Sequence, residues 1–141
     1  MQRNQTLRRV GTFFAFLALA AMLSLPAAAQ NRRPRVVIIR ADWCTACQRL
    51  EPTMMQLMEQ YRDRLDFVVL DVTNEQKLAD STTTARRLGL NRFFRENKQR
   101  TSTVAVFVRG SRPQFQTIHN YDRDAYVRAF DEAIAQANRR G

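Results

Sequence analysis

Cysteine and histidine are scarce in this sequence, with two of the first and one of the second. Two cysteines cannot build a scaffold of several disulfides. With a single histidine they cannot complete a four-ligand zinc site without carboxylates. Glycine and proline number four each, which excludes collagen-like and low-complexity chains. Lysine is rare too: Lys77 and Lys98 stand among 23 basic residues, the others being arginine. No segment repeats at the roughly 20–50-residue spacing of solenoids and propellers. No apolar run reaches the ~20 residues that a membrane-spanning helix needs. What is present is ordinary globular composition, 45% hydrophobic and 26% charged. A length of 141 residues suits one domain.

The longest apolar run, Val10–Leu25, covers 16 residues. Arg3, Arg8 and Arg9 precede it with no acid among them, and Pro26-Ala27-Ala28-Ala29 follows. Positive start, apolar run and small-residue exit, in that order, read as a secretory signal over residues 1–29. The shortness of the run favours cleavage over anchoring. No cysteine lies near the exit, so a lipid anchor is not expected. The folded domain is then 30–141. Loss of 1–29 removes three arginines and no acid, so the net charge falls from +10 to +7. A basic surplus suits nucleic acid or an acidic surface. Export argues against nucleic acid, and the charges do not gather on one helix face with interleaved aromatics. The surplus reads as a solvated surface, with membrane contact only if the signal segment is retained.

Residues 30–35 form a short polar lead. Val36-Val37-Ile38-Ile39 is a continuous β-branched run, the mark of a strand buried on both faces. A helix from about Cys44 to Arg62 follows, with Leu50, Met54, Leu57, Met58 and Tyr61 at helical spacing. Phe67–Leu70 is a second buried strand. Asn74 caps a helix over Glu75–Leu88, which Gly89 ends. Asn91–Arg100 is a polar and aromatic stretch containing Phe93-Phe94. Thr103–Val108 and Gln114–Ile118 are strands joined by the turn 109–113, and a last helix runs from about Arg123 to Ala137. The order β-α-β-α-β-β-α gives an α/β fold. Its first two strands should be parallel, joined by a helix, and its last two antiparallel. The result is a mixed four-stranded sheet with helices on both faces.

Trp43-Cys44-Thr45-Ala46-Cys47 sits where the first strand turns into the first helix. A CxxC spacing alone is shared by haem, zinc, iron–sulfur and redox sites. Haem attachment needs a histidine next, and position 48 is Gln. Zinc and iron–sulfur centres want more cysteines than one chain supplies. A redox pair remains. At the helix N-terminus, unpaired N–H groups and the macrodipole favour a Cys44 thiolate. Cys44 is then the attacking sulfur and Cys47, one turn further in and less exposed, the resolving one.

Ala41-Asp42-Trp43-Cys44-Thr45-Ala46-Cys47, with Pro52 five residues on, resembles the thioredoxin superfamily, as do Phe67–Asp71 and Thr103–Gly110. The resemblance covers nearly all of 35–138. It implies a thioredoxin-like fold and thiol–disulfide exchange with protein thiols and disulfides, served by an upstream redox partner and no cofactor. It also implies substrate contact by Trp43, Thr45, Ala46, Thr101 and Ser102. Ser102 stands where the family has a cis-proline, and a non-proline cis bond costs ~3–4 kcal/mol, so a trans bond is expected. Ile38 and Val69 stand where many members carry a buried Asp and Lys, so that proton relay is missing. The family's extra N-terminal strand and helix are expected to be absent. Asn91–Arg100 reads as an insertion, either a partner-binding rim or a surface loop with Phe93 and Phe94 packed on the core.

Two other readings of the cysteines stay open. They could hold Cu(I), or an iron–sulfur cluster shared between two chains, or they could form a structural disulfide in an adaptor domain. Met54, Met55 and Met58 offer soft sulfur, but two of the three fit the apolar stripe and read as core. His119 reads as a surface histidine. Pro52 is expected to bend the first helix. Arg40 and Asp42 flank the motif and act on Cys44 in opposite directions.

Overall fold

The computed structural model describes residues 33–139. The signal segment 1–29 lies outside the described residues, and so does the expected absence of an extra strand and helix. Strand β1 (Arg35–Arg40) is the centre of the sheet. It pairs in parallel with β2 (Asp66–Asp71) and antiparallel with β3 (Thr103–Phe107), and β3 pairs antiparallel with β4 (Phe115–Ile118). The spatial order is β2-β1-β3-β4. The helices are α1 (Thr45–Tyr61), α2 (Glu75–Arg87), α3 (Asn91–Asn97) and α4 (Arg123–Arg139).

Side chains alternate across a strand, so the unbroken apolar run of β1 requires cover on both faces, and it has it. Val36 and Ile38 join Leu50, Met54, Leu57 and Tyr61 of α1 with Tyr126 and Phe130 of α4. Val37 and Ile39 join Ala85 of α2 with Phe93 and Phe94 of α3. Each such burial contributes about 1.5–3 kcal/mol. The expected sheet, strand directions and two-sided helices are all present. Among the described residues, no helix is long and apolar enough to cross a membrane.

One expectation is corrected. Asn91–Arg100 is not a loop: Asn91–Asn97 is helix α3. Phe93 and Phe94 are adjacent in sequence, yet both are buried, and Phe93 meets Phe107 edge-to-face at 5.1 Å. The packing half of the expectation therefore holds, while Arg92, Arg95 and Glu96 face outward from the same helix. Asn97 closes the helix inward, its amide donating to the Phe93 carbonyl at 2.8 Å. The cap of α2 is as expected, with the Asn74 side chain accepting from the Lys77 N–H at 2.9 Å. Gly89 follows that helix at φ +73°, where other residues are strained.

Candidate active site

Strand β1 ends at Arg40, and Ala41 is fully buried beneath the turn that follows. Cys44 caps α1 in extended geometry, and its Sγ accepts the Cys47 N–H at 3.1 Å. Cys44 and Cys47 are joined as a disulfide with Cα atoms 5.2 Å apart. Thr45 and Ala46 lie between them on the first turn, Thr45 exposed and Ala46 half-buried. Cys47 was expected to be the less exposed sulfur residue, but both are 6% exposed. Pro52 lies inside α1.

The loop before Cys44 is braced on its outer side. Trp43 is 63% exposed, yet its indole N–H donates to the Thr73 carbonyl at 3.0 Å. The Asp42 N–H donates to Thr73 Oγ1 at 2.9 Å. Thr73 in turn gives its N–H, at 2.9 Å, and its hydroxyl to Asp71 Oδ1. Around these bonds runs a ring of alternating charge. Arg40 Nη1 meets Asp42 at 2.9 Å and Asp71 at 3.2 Å. Lys77 Nζ meets Asp42 at 3.1 Å and Asp71 at 3.0 Å. The Lys77 and Arg40 hydrogen bonds hold the Asp42 carboxyl below its ordinary value. Burial would raise Asp71, but hydrogen bonds from Thr73 and Lys77 outweigh it and the net shift is downward. Lys77 is raised by its hydrogen bonds to Asp71 and then Asp42. Arg40 and Asp42 flank the motif as expected, and they pair with each other.

The inner side is different. A cavity of about 100 Å³ lies behind Cys47, lined by Ile38, Met54, Met55, Val69 and Ser102 among others. Ile38 and Val69, the expected replacements for an acid and a lysine, both line it. The Ser102 N–H donates to the Ile39 carbonyl at 2.8 Å, which ties this segment to β1. Ser102 is trans, as expected, at φ +61°, a conformation that favours glycine. The His119 N–H, also at positive φ, donates to the Ser102 carbonyl at 3.2 Å.

The structure thus brings Trp43, Cys44, Thr45, Ala46 and Cys47 together on one turn, with Ser102 behind. Thr101 and Ser102 are buried, Ser102 to 1% exposure, so neither presents an open side chain to a large partner. Met54 packs in the core, with Met58 against it, while Met55 is 64% exposed. Among the described residues no group of three or more His, Cys, Asp or Glu could hold a metal, and His119 is exposed. Sequence reasoning missed Asp71, Thr73 and Lys77 as supports. The one signal was the Asn74 cap, which placed Lys77 in the first turn of α2.

A family model described as Thioredoxin matches residues 26–107, more than half of the chain. The chain belongs to the thioredoxin family. It is similar to the chloroplastic thioredoxin-like protein HCF164 of Arabidopsis thaliana, 40% identical over 62 residues, 42% of this chain and 24% of that protein. It is also similar to the thiol:disulfide interchange protein TxlA of Synechococcus elongatus, 42% identical over 50 residues, 36% of this chain and 26% of the relative. The chain spans about a quarter of the length of these relatives. The solution structure of a thioredoxin-like protein in its oxidised form superposes at a TM-score of 0.53 and 12% identity, over 74% of this chain and 79% of that one. At that identity the likeness shows the fold alone. For a thioredoxin-family chain, this geometry suits a two-sulfur cycle.

Proposed function

We propose that this protein is an exported thiol:disulfide oxidoreductase that exchanges disulfides with protein partners. The observation that carries the reading is the Cys44–Cys47 disulfide at the N-terminus of α1, with a backbone N–H already aimed at Cys44 Sγ. In the reduced state that N–H and the helix end favour a thiolate at Cys44. The Cys44 thiolate attacks a partner disulfide and forms a mixed disulfide. Cys47 then attacks Cys44 Sγ, restores the internal disulfide and releases the partner as a thiol. Exposed Trp43, with Thr45 and Ala46, forms the surface on which the partner rests. The two electrons move between sulfurs, so no cofactor is needed. An upstream redox partner resets the pair.

Export is supported by the signal pattern in 1–29, with the domain 30–141 released. The compartment is the periplasm or an equivalent space such as a thylakoid lumen. A relative described as chloroplastic and another described as a thiol:disulfide interchange protein agree with this. The test is the reduction potential of the Cys44–Cys47 pair, equilibrated against glutathione buffers. A reversible two-electron couple is expected. A value near ~−270 mV makes the protein a reductant and one near ~−120 mV an oxidant. Absence of a reversible couple overturns the reading.

A further inference from the structure

Ser102 is the unexplained group of this site. It is a hydroxyl residue on a buried wall, and Ser102 Oγ has no protein hydrogen-bond partner among the described residues. A buried hydroxyl left unpaired costs about 1–3 kcal/mol. The backbone around it is strained as well, at φ +61°, and is clamped from both sides by Ile39 and His119. Strain and an orphaned polar group at one residue call for a function that the disulfide state does not display. The cavity that Ser102 lines is shared with Cys47.

The rest of that cavity narrows the choice. Ile38, Leu50, Met54 and Val69 contribute only apolar surface. Two charged residues, Arg40 and Glu51, also line it. Arg40 is committed to Asp42 and Asp71. Glu51 is exposed to water on α1. When the disulfide opens, the Cys47 sulfur becomes a thiol facing this apolar space, where burial opposes ionisation. Yet Cys47 must carry negative charge to attack.

We propose that Ser102 is a catalytic residue of the resolving step, its hydroxyl donating a hydrogen bond to the Cys47 sulfur as that sulfur becomes a thiolate. The inference rests on the thiol–disulfide reading above and assigns the second half of that cycle. In that half the Cys47 S–H bond breaks and its proton passes to water. The Cys47 electron pair forms the bond to Cys44 Sγ. The bond from Cys44 Sγ to the partner sulfur breaks, and the partner leaves as a thiolate that takes up a proton. The protein dithiol is oxidised to a disulfide and the partner disulfide is reduced. Ser102 gives up no proton in this cycle; it stabilises charge on the sulfur that reacts.

The test uses the reduced full chain mixed rapidly with dithiobis(nitrobenzoate), an aryl disulfide. The first coloured thiolate released reports attack by Cys44, and the second reports resolution by Cys47. Ser102→Ala is expected to slow the second release about five- to tenfold at neutral pH and to move its pH midpoint upward, with the first release unchanged. Ser102→Gly, which accepts the positive φ without strain, should show the same split. It keeps the question answerable if the alanine variant fails to fold. Three results overturn the proposal: both releases slowing together, neither changing, or Glu51→Gln shifting the second pH profile while the Ser102 variants do not. A wild-type protein that releases one thiolate and never a second overturns the underlying two-cysteine cycle as well, and so is distinguished from failure of the Ser102 assignment.

Discussion

On the outer side of the Cys44–Cys47 disulfide the fold is wired with charge, and on the inner side the lining is apolar apart from Arg40, Glu51 and Ser102. Outside, Arg40, Asp42, Asp71 and Lys77 alternate in sign around Thr73, which holds both Asp42 and Trp43. Inside, Ile38, Met54, Met55 and Val69 wall a small cavity whose one buried hydroxyl is that of Ser102. The difference assigns work to each sulfur. The outer web ties down the loop before Cys44 through Thr73, Asp42 and Trp43. The inner wall offers Cys47 few polar groups, Ser102 among them.

The broadest way to break this division is to remove one sulfur at a time. Cys44→Ser should reduce turnover to background, because the attacking thiolate is gone. Cys47→Ser should still attack but stall as a mixed disulfide, detectable as a mass increase equal to the partner and reversed by dithiothreitol. If Cys47→Ser turns over normally, or Cys44→Ser accumulates the adduct instead, the two roles are reversed.

Changing the inner wall should have the next largest effect. Ile38→Asp places a carboxyl in the cavity, whose one cation, Arg40, is already committed to Asp42 and Asp71. It loses apolar burial and adds a desolvated acid, at a combined cost of about 2–4 kcal/mol. Its pKa should rise well above the ordinary ~3.9, because burial disfavours the charged form. A carboxyl poised near neutral can take the Cys47 proton, so the second release should speed up even as the protein loses stability. Denaturant unfolding and the two-step release assay read the two effects separately. An unchanged second release would mean that the cavity does not serve Cys47.

On the outer side, Asp71→Asn should cost about 1–2 kcal/mol, since the charged acceptor of Thr73, Lys77 and Arg40 becomes neutral. Because Thr73 holds the Trp43 indole, the fluorescence of that single tryptophan should change with it. The first release should slow more than the second. The opposite ranking would erase the contrast between the two sides.

How much of this was legible before the fold was known depends on the range of the interaction. The β-branched run of β1 announced burial on both faces, because four consecutive apolar residues cannot all face one way in a strand. The position of Cys44 at a helix start was legible for the same local reason, as was the Asn74 cap. Helix α3 was not. Its seven residues are too few to show periodicity, and its two aromatics are adjacent rather than spaced. Only the docking of both rings against β1 and β3 settles their conformation. The charge web was also hidden: Asp42 and Lys77 are 35 positions apart, and no local pattern pairs them. Ser102 could be placed beside the cysteines by resemblance, but its orphaned hydroxyl is a property of packing alone.

The smallest effect lies in the pH dependence of the outer web. Asp42 and Asp71 are both lowered from their ordinary values. A lowered folded pKa gives stability that is fully present above the unfolded value, near ~3.9, and is lost as pH falls through the folded pKa. Lys77 is raised, so its share is present below the unfolded value near ~10.4 and is lost only as pH rises through the folded pKa. At neutral pH the web is therefore fully charged, and its acid limit lies below about pH 4. Stability of the wild type should fall more steeply there than that of Asp71→Asn, measured by urea midpoints across the acid range. Lys77→Met should flatten the same limb. Its effect at neutral pH should be small and should shrink as salt is added, because Lys77 and Asp42 are partly exposed and screened. Parallel acid curves for wild type and both variants would show that the web contributes no differential proton binding. The outer platform would then rest on the Thr73 hydrogen bonds to Asp42 and Trp43 alone.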